Sequence, residues 1–130
     1  TLLFVGANDI RIVASFPDQE RKIVNDALSN ILNLIRKIDS NFFIVCTIPP
    51  IFELSYRDYA LDYQASDFAR QKLNEKIRSL SDKNVLILDT TKILNKYKKL
   101  RELSSDGLHI NERGYELLNE RMLSLLTERD

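Results

Sequence analysis

The only histidine of the chain lies in a segment whose residue types suit proton transfer. Asp106 precedes His109 by three residues, with Gly107 between them. A carboxylate at this spacing can turn onto the imidazole, which fixes the tautomer and stabilises the imidazolium that forms when the ring takes a proton. The pattern predicts Asp106 as the orienting carboxylate and His109 as a general base. The alternative is a loop histidine beside a helix N-terminus, with Asp106 as a turn former.

A second polar group follows the first apolar run of the chain. The segment Val5–Ile10 contains Gly6, Asn8 and Asp9. In open α/β sheets, ligands bind at the carboxyl ends of the strands. The Asn8 amide can donate to an oxyanion, which needs a neutral and preorganised donor, and Gly6 permits close backbone approach. The alternative is an ordinary strand-ending turn, because Gly, Asn and Asp are the usual residues there.

Three short apolar runs predict the strands of a sheet that would position these residues. They are rich in Val, Ile or Phe and comprise Leu2–Val5, Phe42–Ile48 and Val85–Leu88. Their hydrophobicity is continuous rather than alternating, which indicates burial on both faces. Burial of this kind is typical of parallel strands.

Helical patterns separate these runs. Apolar residues recur at three- and four-residue spacing in the segments Gln19–Ile38, Asp62–Leu80 and Glu112–Thr127. Asn111 is a good N-cap for the last of them, and Thr91–Leu103 indicates a further short helix. Alternating strands and helices predict one doubly wound α/β domain over residues 1–130.

The handedness of the crossovers predicts how the helices are distributed. Right-handed crossovers that step the same way put the Gln19–Ile38 and Asp62–Leu80 helices on one face of the sheet. The Glu112–Thr127 helix is then the cover for the other face, and Leu2–Val5 is an exposed edge prone to pairing. We therefore expect a missing N-terminal segment or a partner chain to complete the sheet.

The two polar segments together resemble motifs of a known family. G-x-N-D, at Gly6–Asp9, follows a buried strand, and D-G-x-H-x-N-x-x-G-Y, at Asp106–Tyr115, precedes the final helix. They resemble the third and fifth sequence blocks of the SGNH hydrolases, the GDSL-type lipases and acylhydrolases. The Thr47–Pro50 exit from the middle strand is also similar to a turn common in that family.

The resemblance implies a fold and a set of roles. The fold is flavodoxin-like α/β, a doubly wound parallel sheet in three α/β/α layers, here missing its N-terminal strands and helices. Asn8 is implied to be the side-chain oxyanion donor, with Gly6 and Asp9 shaping its loop. His109 is implied to be the general base, and Asp106 the third member of the triad.

The family's serine block and its glycine block have no counterpart here. Ser15, Ser55, Ser104 and Ser105 are poor substitutes for the nucleophile, because none follows a strand in a sharp glycine-bearing turn. The resemblance therefore implies a serine ester hydrolase that works through an acyl-enzyme, with the aspartate–histidine pair activating a serine outside this chain. The alternative is a non-catalytic α/β module or a degenerate family member acting in an assembly.

Substrate contacts are expected in the aromatic segment that follows the middle strand. Pro49, Phe52 and Tyr56 can line an acyl or sugar pocket, although such rings can equally pack the loop onto the sheet. The substrate class is a small-molecule ester, and the residues do not say which one. The implied reaction needs no cofactor, and a lone histidine argues against a His-rich metal centre.

Composition excludes several other classes of function. Lys and Arg number 19, as do Asp and Glu, so no net field attracts nucleic acid or an anionic membrane surface. No run approaches the roughly 18 to 20 apolar residues of a membrane span, and no G-x-G-x-x-G motif follows a strand. Cys46 is expected to be a buried hydrophobe. Any targeting signal would lie upstream of Thr1, so the sequence leaves localisation open.

Overall fold

A parallel sheet lies at the centre of the structure. The computed structural model describes residues 1–51, 62–97, 99–107 and 109–129. Within these ranges the strands are β1 (Leu2–Leu3), β2 (Phe43–Cys46) and β3 (Val85–Leu88), in the spatial order β1-β2-β3. The predicted third strand is confirmed at both ends, whereas β1 and β2 are shorter than the apolar runs that predicted them.

Helices connect and flank the strands. They are α1 (Ala7–Arg11), α2 (Glu20–Lys37), α3 (Tyr63–Arg78), α4 (Thr90–Leu94) and α5 (Glu112–Arg129). Turns of 3-10 helix cover Ile12–Ala14, Pro17–Gln19 and Leu100–Leu103. The predicted segments match α2, α3 and α5, whereas the segment predicted as one short helix forms α4 and a separate 3-10 turn. None of the helices in the described ranges is both long and apolar enough to cross a membrane.

Three helices begin at a polar side chain that accepts a backbone hydrogen bond from the first turn. The Asp62 carboxylate caps α3 at 2.9 Å, and the Asp89 carboxylate caps α4 at 3.0 Å. The Asn111 side-chain oxygen caps α5 at 3.1 Å, as predicted. Such caps satisfy N–H groups that have no partner within the helix, so each helix start is fixed by one residue.

The helices form one layer on each face of the sheet. Phe43 and Val45 of β2 pack with apolar side chains from α2 and α3. Ile44 and Cys46, which alternate with them, pack with α4 and α5. The predicted α/β class and the shared face of α2 and α3 are therefore confirmed. The opposite face has more cover than predicted, because α4 and the fully buried Leu103 add to α5.

Cys46 is a buried thiol on the α5 side of β2. It is 2% exposed, and burial raises its pKa to about 12. The thiolate is the nucleophilic form of cysteine, so this side chain acts as an inert apolar group, as its sequence context predicts.

Strand β1 is one edge of the sheet in the described chain. It pairs with β2 through Leu2 and Leu3. Leu3 is buried, whereas Leu2 is 50% exposed and Phe4 and Val5 are each 39% exposed. An edge strand presents unpaired N–H and C=O groups that can accept another strand. The predicted open edge is confirmed, and the segment or partner expected to cover it stays a prediction.

An ion pair joins α3 to the residue that follows β3. Arg78 Nε lies 2.7 Å from Asp89 Oδ2, and Arg78 Nη2 donates to Oδ1 at 3.3 Å. Partial burial raises the pKa of the Asp89 carboxyl, but hydrogen bonds from Arg78 and from the Lys92 backbone outweigh it. The net result is a lowered pKa, so the folded state holds this carboxylate ionised.

Replacing Asp89 with Asn tests this coupling. Because the Asp89 pKa is lowered in the folded state, its ionised carboxylate stabilises the fold at pH values above the ordinary pKa of 3.8. This stabilisation is lost as the pH falls through the lowered pKa. We expect Asp89→Asn to reduce the free energy of unfolding by about 1 kcal/mol at neutral pH, with the difference from wild type shrinking below about pH 4. Urea unfolding at both pH values measures it. The control Asp26→Asn removes an exposed pair with Lys22 and should cost less. A difference that does not change with pH would contradict the prediction.

Candidate active site

The predicted aspartate and histidine form a hydrogen-bonded pair. Asp106 Oδ2 lies 2.5 Å from His109 Nδ1, and Asp106 Oδ1 accepts from the His109 backbone N–H at 2.7 Å. Ser104 Oγ also donates to Oδ1, at 3.2 Å. An ionised carboxylate only accepts hydrogen bonds, so the ring contact requires a proton on Nδ1. The other ring nitrogen, Nε2, is then the basic one.

Gly107 allows the loop to fold the carboxylate back onto the ring. Its φ is 80°, in the left-handed region that favours glycine. The His109 side chain is 73% exposed and that of Asp106 is 51% exposed. The pair therefore stands open at the surface, where a substrate can reach it.

Asn111 and Gly114 attach this loop to α5. The Asn111 side chain donates to the Glu102 carbonyl at 2.6 Å, and its backbone N–H donates to the Leu103 carbonyl at 2.8 Å. A methyl group on Gly114 would clash with the Ile110 side chain. The H-x-N-x-x-G spacing therefore has a structural reason: the asparagine bonds the loop to the start of α5, and the glycine leaves room for the loop to pass close to the helix.

Asn8 lies in the first turn of α1, whereas the sequence analysis expected it in a loop shaped by Gly6 and Asp9. Gly6 precedes this helix with φ 103° and ψ −16°, and its carbonyl accepts from the Ile10 N–H at 3.1 Å. A glycine in this conformation lets the chain leave the strand and enter a helix almost at once. The helix leaves both Asn8 and Asp9 exposed.

A cavity of about 250 Å³ brings the two predicted segments together. Asn8 from α1 and His109 from the loop before α5 both line it, although they are far apart in the sequence. Gly6 and Asp9 are not among its described lining residues; Gly6 supports it instead, by shaping the turn into α1. The structure therefore brings the amide and the imidazole to one place, and their chemical roles stay predictions.

The walls of the cavity are mainly apolar. Phe4, Ile48 and Pro49 line it, together with Pro50 and Tyr115. Pro49, which the sequence analysis predicted as a substrate contact, therefore lies in the cavity wall. Phe52 and Tyr56, the other two predicted contacts, lie outside the described residues.

The exit of β2, which forms one wall, is held by a buried amide. Asn74 on α3 is 1% exposed. Its side-chain oxygen accepts from the Ile48 N–H at 2.7 Å, and its amide nitrogen donates to the Ile48 carbonyl at 2.9 Å. This two-point contact mimics a neighbouring strand and satisfies the buried N–H of Ile48, while the Ile48 carbonyl also accepts from Arg70 and Thr91. It fixes the chain where it turns into Pro49.

Asn74 belongs to a polar stripe on α3 that the sequence reasoning did not identify. The stripe consists of Ser66, Arg70, Asn74 and Arg78, at four-residue spacing. Ser66 Oγ donates to the Ile10 carbonyl at 2.8 Å, which ties α1 to α3. Residues four apart share a helix face. The four-residue spacing of these polar residues, next to the apolar stripe of α3, could therefore have indicated that they act together.

The polar atoms of the cavity come from a few side chains. Asn8, His109, Ser66 and Arg70 all line it. Across the described ranges, no three His, Cys, Asp or Glu side chains come together in a way that could hold a metal ion. Arg11 and Tyr115 line the cavity as well, so the polar groups present are a base paired with a carboxylate, an amide donor, two hydroxyls and two guanidinium groups.

The fold is an α/β domain with a parallel sheet between helical layers, and the two motif segments lie at one end of that sheet, as in the family that the sequence resembles. The model of the GDSL-like Lipase/Acylhydrolase family matches residues 1–117, which include both motif segments. The chain belongs to this family, and the predicted resemblance is confirmed. No curated protein and no solved structure shows significant similarity to the chain.

Replacing Gly6 with Ala tests the turn that presents Asn8. An alanine at φ 103° is strained, and its Cβ would lie 3.3 Å from Ile48 Cδ1. We expect a loss of about 1–2 kcal/mol in the free energy of unfolding, measured in urea. The control Gln19→Ala changes an exposed residue that directly precedes α2 and should alter stability by less than about 0.5 kcal/mol. A Gly6→Ala protein as stable as wild type would show that the left-handed turn is not required.

Proposed function

We propose that this protein hydrolyses carboxylic esters through a serine acyl-enzyme. The observation that carries the proposal is the cavity shared by Asn8 and His109, with Asp106 bonded to the far side of the imidazole. Membership of a family of lipases and acylhydrolases supports it.

In the proposed reaction, His109 moves one proton in each direction. Nε2 takes the proton of a serine hydroxyl while that oxygen attacks the ester carbonyl, and Asp106 stabilises the imidazolium. The Asn8 amide donates to the oxyanion of the tetrahedral intermediate. The C–O bond to the alcohol then breaks, and Nε2 returns its proton to the leaving oxygen. A water molecule then attacks the acyl-enzyme by the same steps, which releases the acid and restores the serine.

The serine in this proposal lies outside residues 1–130. Within the described part of the chain, no serine hydroxyl bonds to the His109 ring. Ser66 lines the cavity, but its hydroxyl is buried and donates to a carbonyl of α1. Ser104 donates to the carboxylate of Asp106. The β1 edge adjoins the cavity through Phe4 and Val5, so a strand added at that edge would end beside it.

Removing the imidazole tests the proposal directly. In the full natural gene product, His109→Ala should reduce ester turnover by a factor of about 10⁴ or more, because the general base is lost, and should abolish labelling by a fluorophosphonate. Circular dichroism should show an unchanged fold, since this side chain is largely exposed.

Ser105→Ala is the matched control, because it changes an exposed residue of the same loop. It should retain wild-type turnover and labelling. A His109→Ala protein with full activity would overturn the proposal. The peptide that carries the fluorophosphonate identifies the serine.

Replacing Asn8 tests the oxyanion donor separately. Asn8→Ala should lower kcat by about a hundredfold, because one preorganised donor is removed from the intermediate. Asn8→Asp should be at least as damaging, since a carboxylate cannot donate and repels the oxyanion. Asn25→Ala, at an exposed position of α2, is the control. Equal kcat values for wild type and both Asn8 variants would exclude this role.

A second candidate is a non-catalytic α/β module acting in an assembly. The absence, among the described residues, of a serine bonded to the imidazole favours it. A natural gene product that is folded, yet neither labelled nor active on esters, would establish this alternative over the first.

A further inference from the structure

Apart from the imidazole, which is paired with the Asp106 carboxylate, the charged side chains that line the cavity are arginines. Its described lining residues include Arg11 and Arg70 and contain no aspartate or glutamate. The chain has equal numbers of basic and acidic residues, so its net charge does not explain the excess of positive charge in the cavity lining.

Arg11 is the exposed arginine of the cavity lining. It lies three residues after Asn8 on α1, so the two share a face of the helix, and both line the cavity. Arg11 is exposed, and the ion pairs found between described residues do not include it. Asp9, the acidic residue of the same helix, is not among the lining residues.

Arg70 has a different role, because its charge is already matched. Its side chain is 7% exposed, and Nε lies 2.8 Å from Asp67 Oδ1. Nη1 donates to the Ile48 carbonyl at 3.3 Å and to Thr91 Oγ1 at 3.0 Å. Arg70 therefore holds the Ile48 exit in place, and Arg11 is left as the lining arginine that forms no ion pair with another described residue.

We propose that this cavity selects esters that carry a negative charge, and that Arg11 is the residue that determines this specificity. The inference rests on the proposed ester hydrolysis. Arg11 stands about one helical turn from the oxyanion donor, so the anionic group lies a few bonds from the scissile carbonyl. The substrate class is thus an ester with a carboxylate or phosphate on its acyl or its alcohol part. Complementary charge of this kind favours capture of the anionic substrate and disfavours cationic ones.

Two matched pairs of esters test this selection and distinguish its two sources. The acyl-side pair is 4-nitrophenyl hydrogen glutarate and neutral 4-nitrophenyl hexanoate. The alcohol-side pair is 4-acetoxybenzoate and neutral 4-acetoxybenzamide. We expect the full natural gene product to prefer the anionic member of one pair by about two- to fivefold in kcat/KM at low salt, the size of an exposed charge contact. The pair that shows the preference identifies the side of the ester that meets Arg11.

Substitutions at Arg11 then locate the source of the preference. Arg11→Gln should bring the ratio of the two kcat/KM values close to one, and Arg11→Glu should invert it. Raising NaCl from about 0.05 to about 0.5 M should shrink the wild-type ratio, because salt screens exposed charges. Arg21→Gln makes the same change in net charge at an exposed position of α2 outside the cavity lining, and should keep the wild-type ratio.

The outcomes separate the two proposals. Hydrolysis of the neutral esters without preference for either anionic partner would overturn the charge selection and leave the proposed function standing. Equal changes in the ratio for Arg11→Gln and Arg21→Gln would also overturn it, because the effect would then follow net charge. A protein inactive on all four esters would remove the proposed function, and the selection with it.

Discussion

Parallel pairing of the strands is the constraint on which the rest of the structure depends. It places the carboxyl ends of β1, β2 and β3 at one edge of the sheet, so segments far apart in the sequence meet there. The α3 stripe then fixes that edge by hydrogen bonds to α1, to the exit of β2 and to the residue after β3. The position of Asn8 follows from the backbone that these bonds hold, and that of His109 from the bonds of Asn111 to the Glu102 and Leu103 carbonyls.

The sequence predicted the elements whose signals are strong and local. The run Val85–Leu88 predicted β3 at both ends, and the apolar periodicity of α2, α3 and α5 predicted these helices closely. Strand β1 is shorter than its apolar run, because Gly6 takes a positive φ and starts a helix that no periodicity in five residues can indicate. Propensity cannot decide such a short element, since its conformation is set by contacts with other parts of the chain.

The sequence predicted the part of the site that depends on local contacts and missed the part that depends on distant ones. Asp106 and His109 are three residues apart, and their contact follows from a local turn around Gly107. Arg70 and Asn74 were missed, because a charged or amide side chain in a helix is usually at the surface. Here their partners are backbone groups at the exit of β2, more than twenty residues away. Only the fold reveals that these polar residues are buried.

The single thiol has a practical use that comes from its place under α5. Because Cys46 is enclosed on the inner face of β2 and resists ionisation, a thiol reagent in solution can modify it only in molecules whose helical layer has come away. The rate of its modification therefore measures how often this protein opens. The same enclosure means that, within residues 1–130, a cysteine introduced at the surface would be the one accessible attachment point for a dye or spin label.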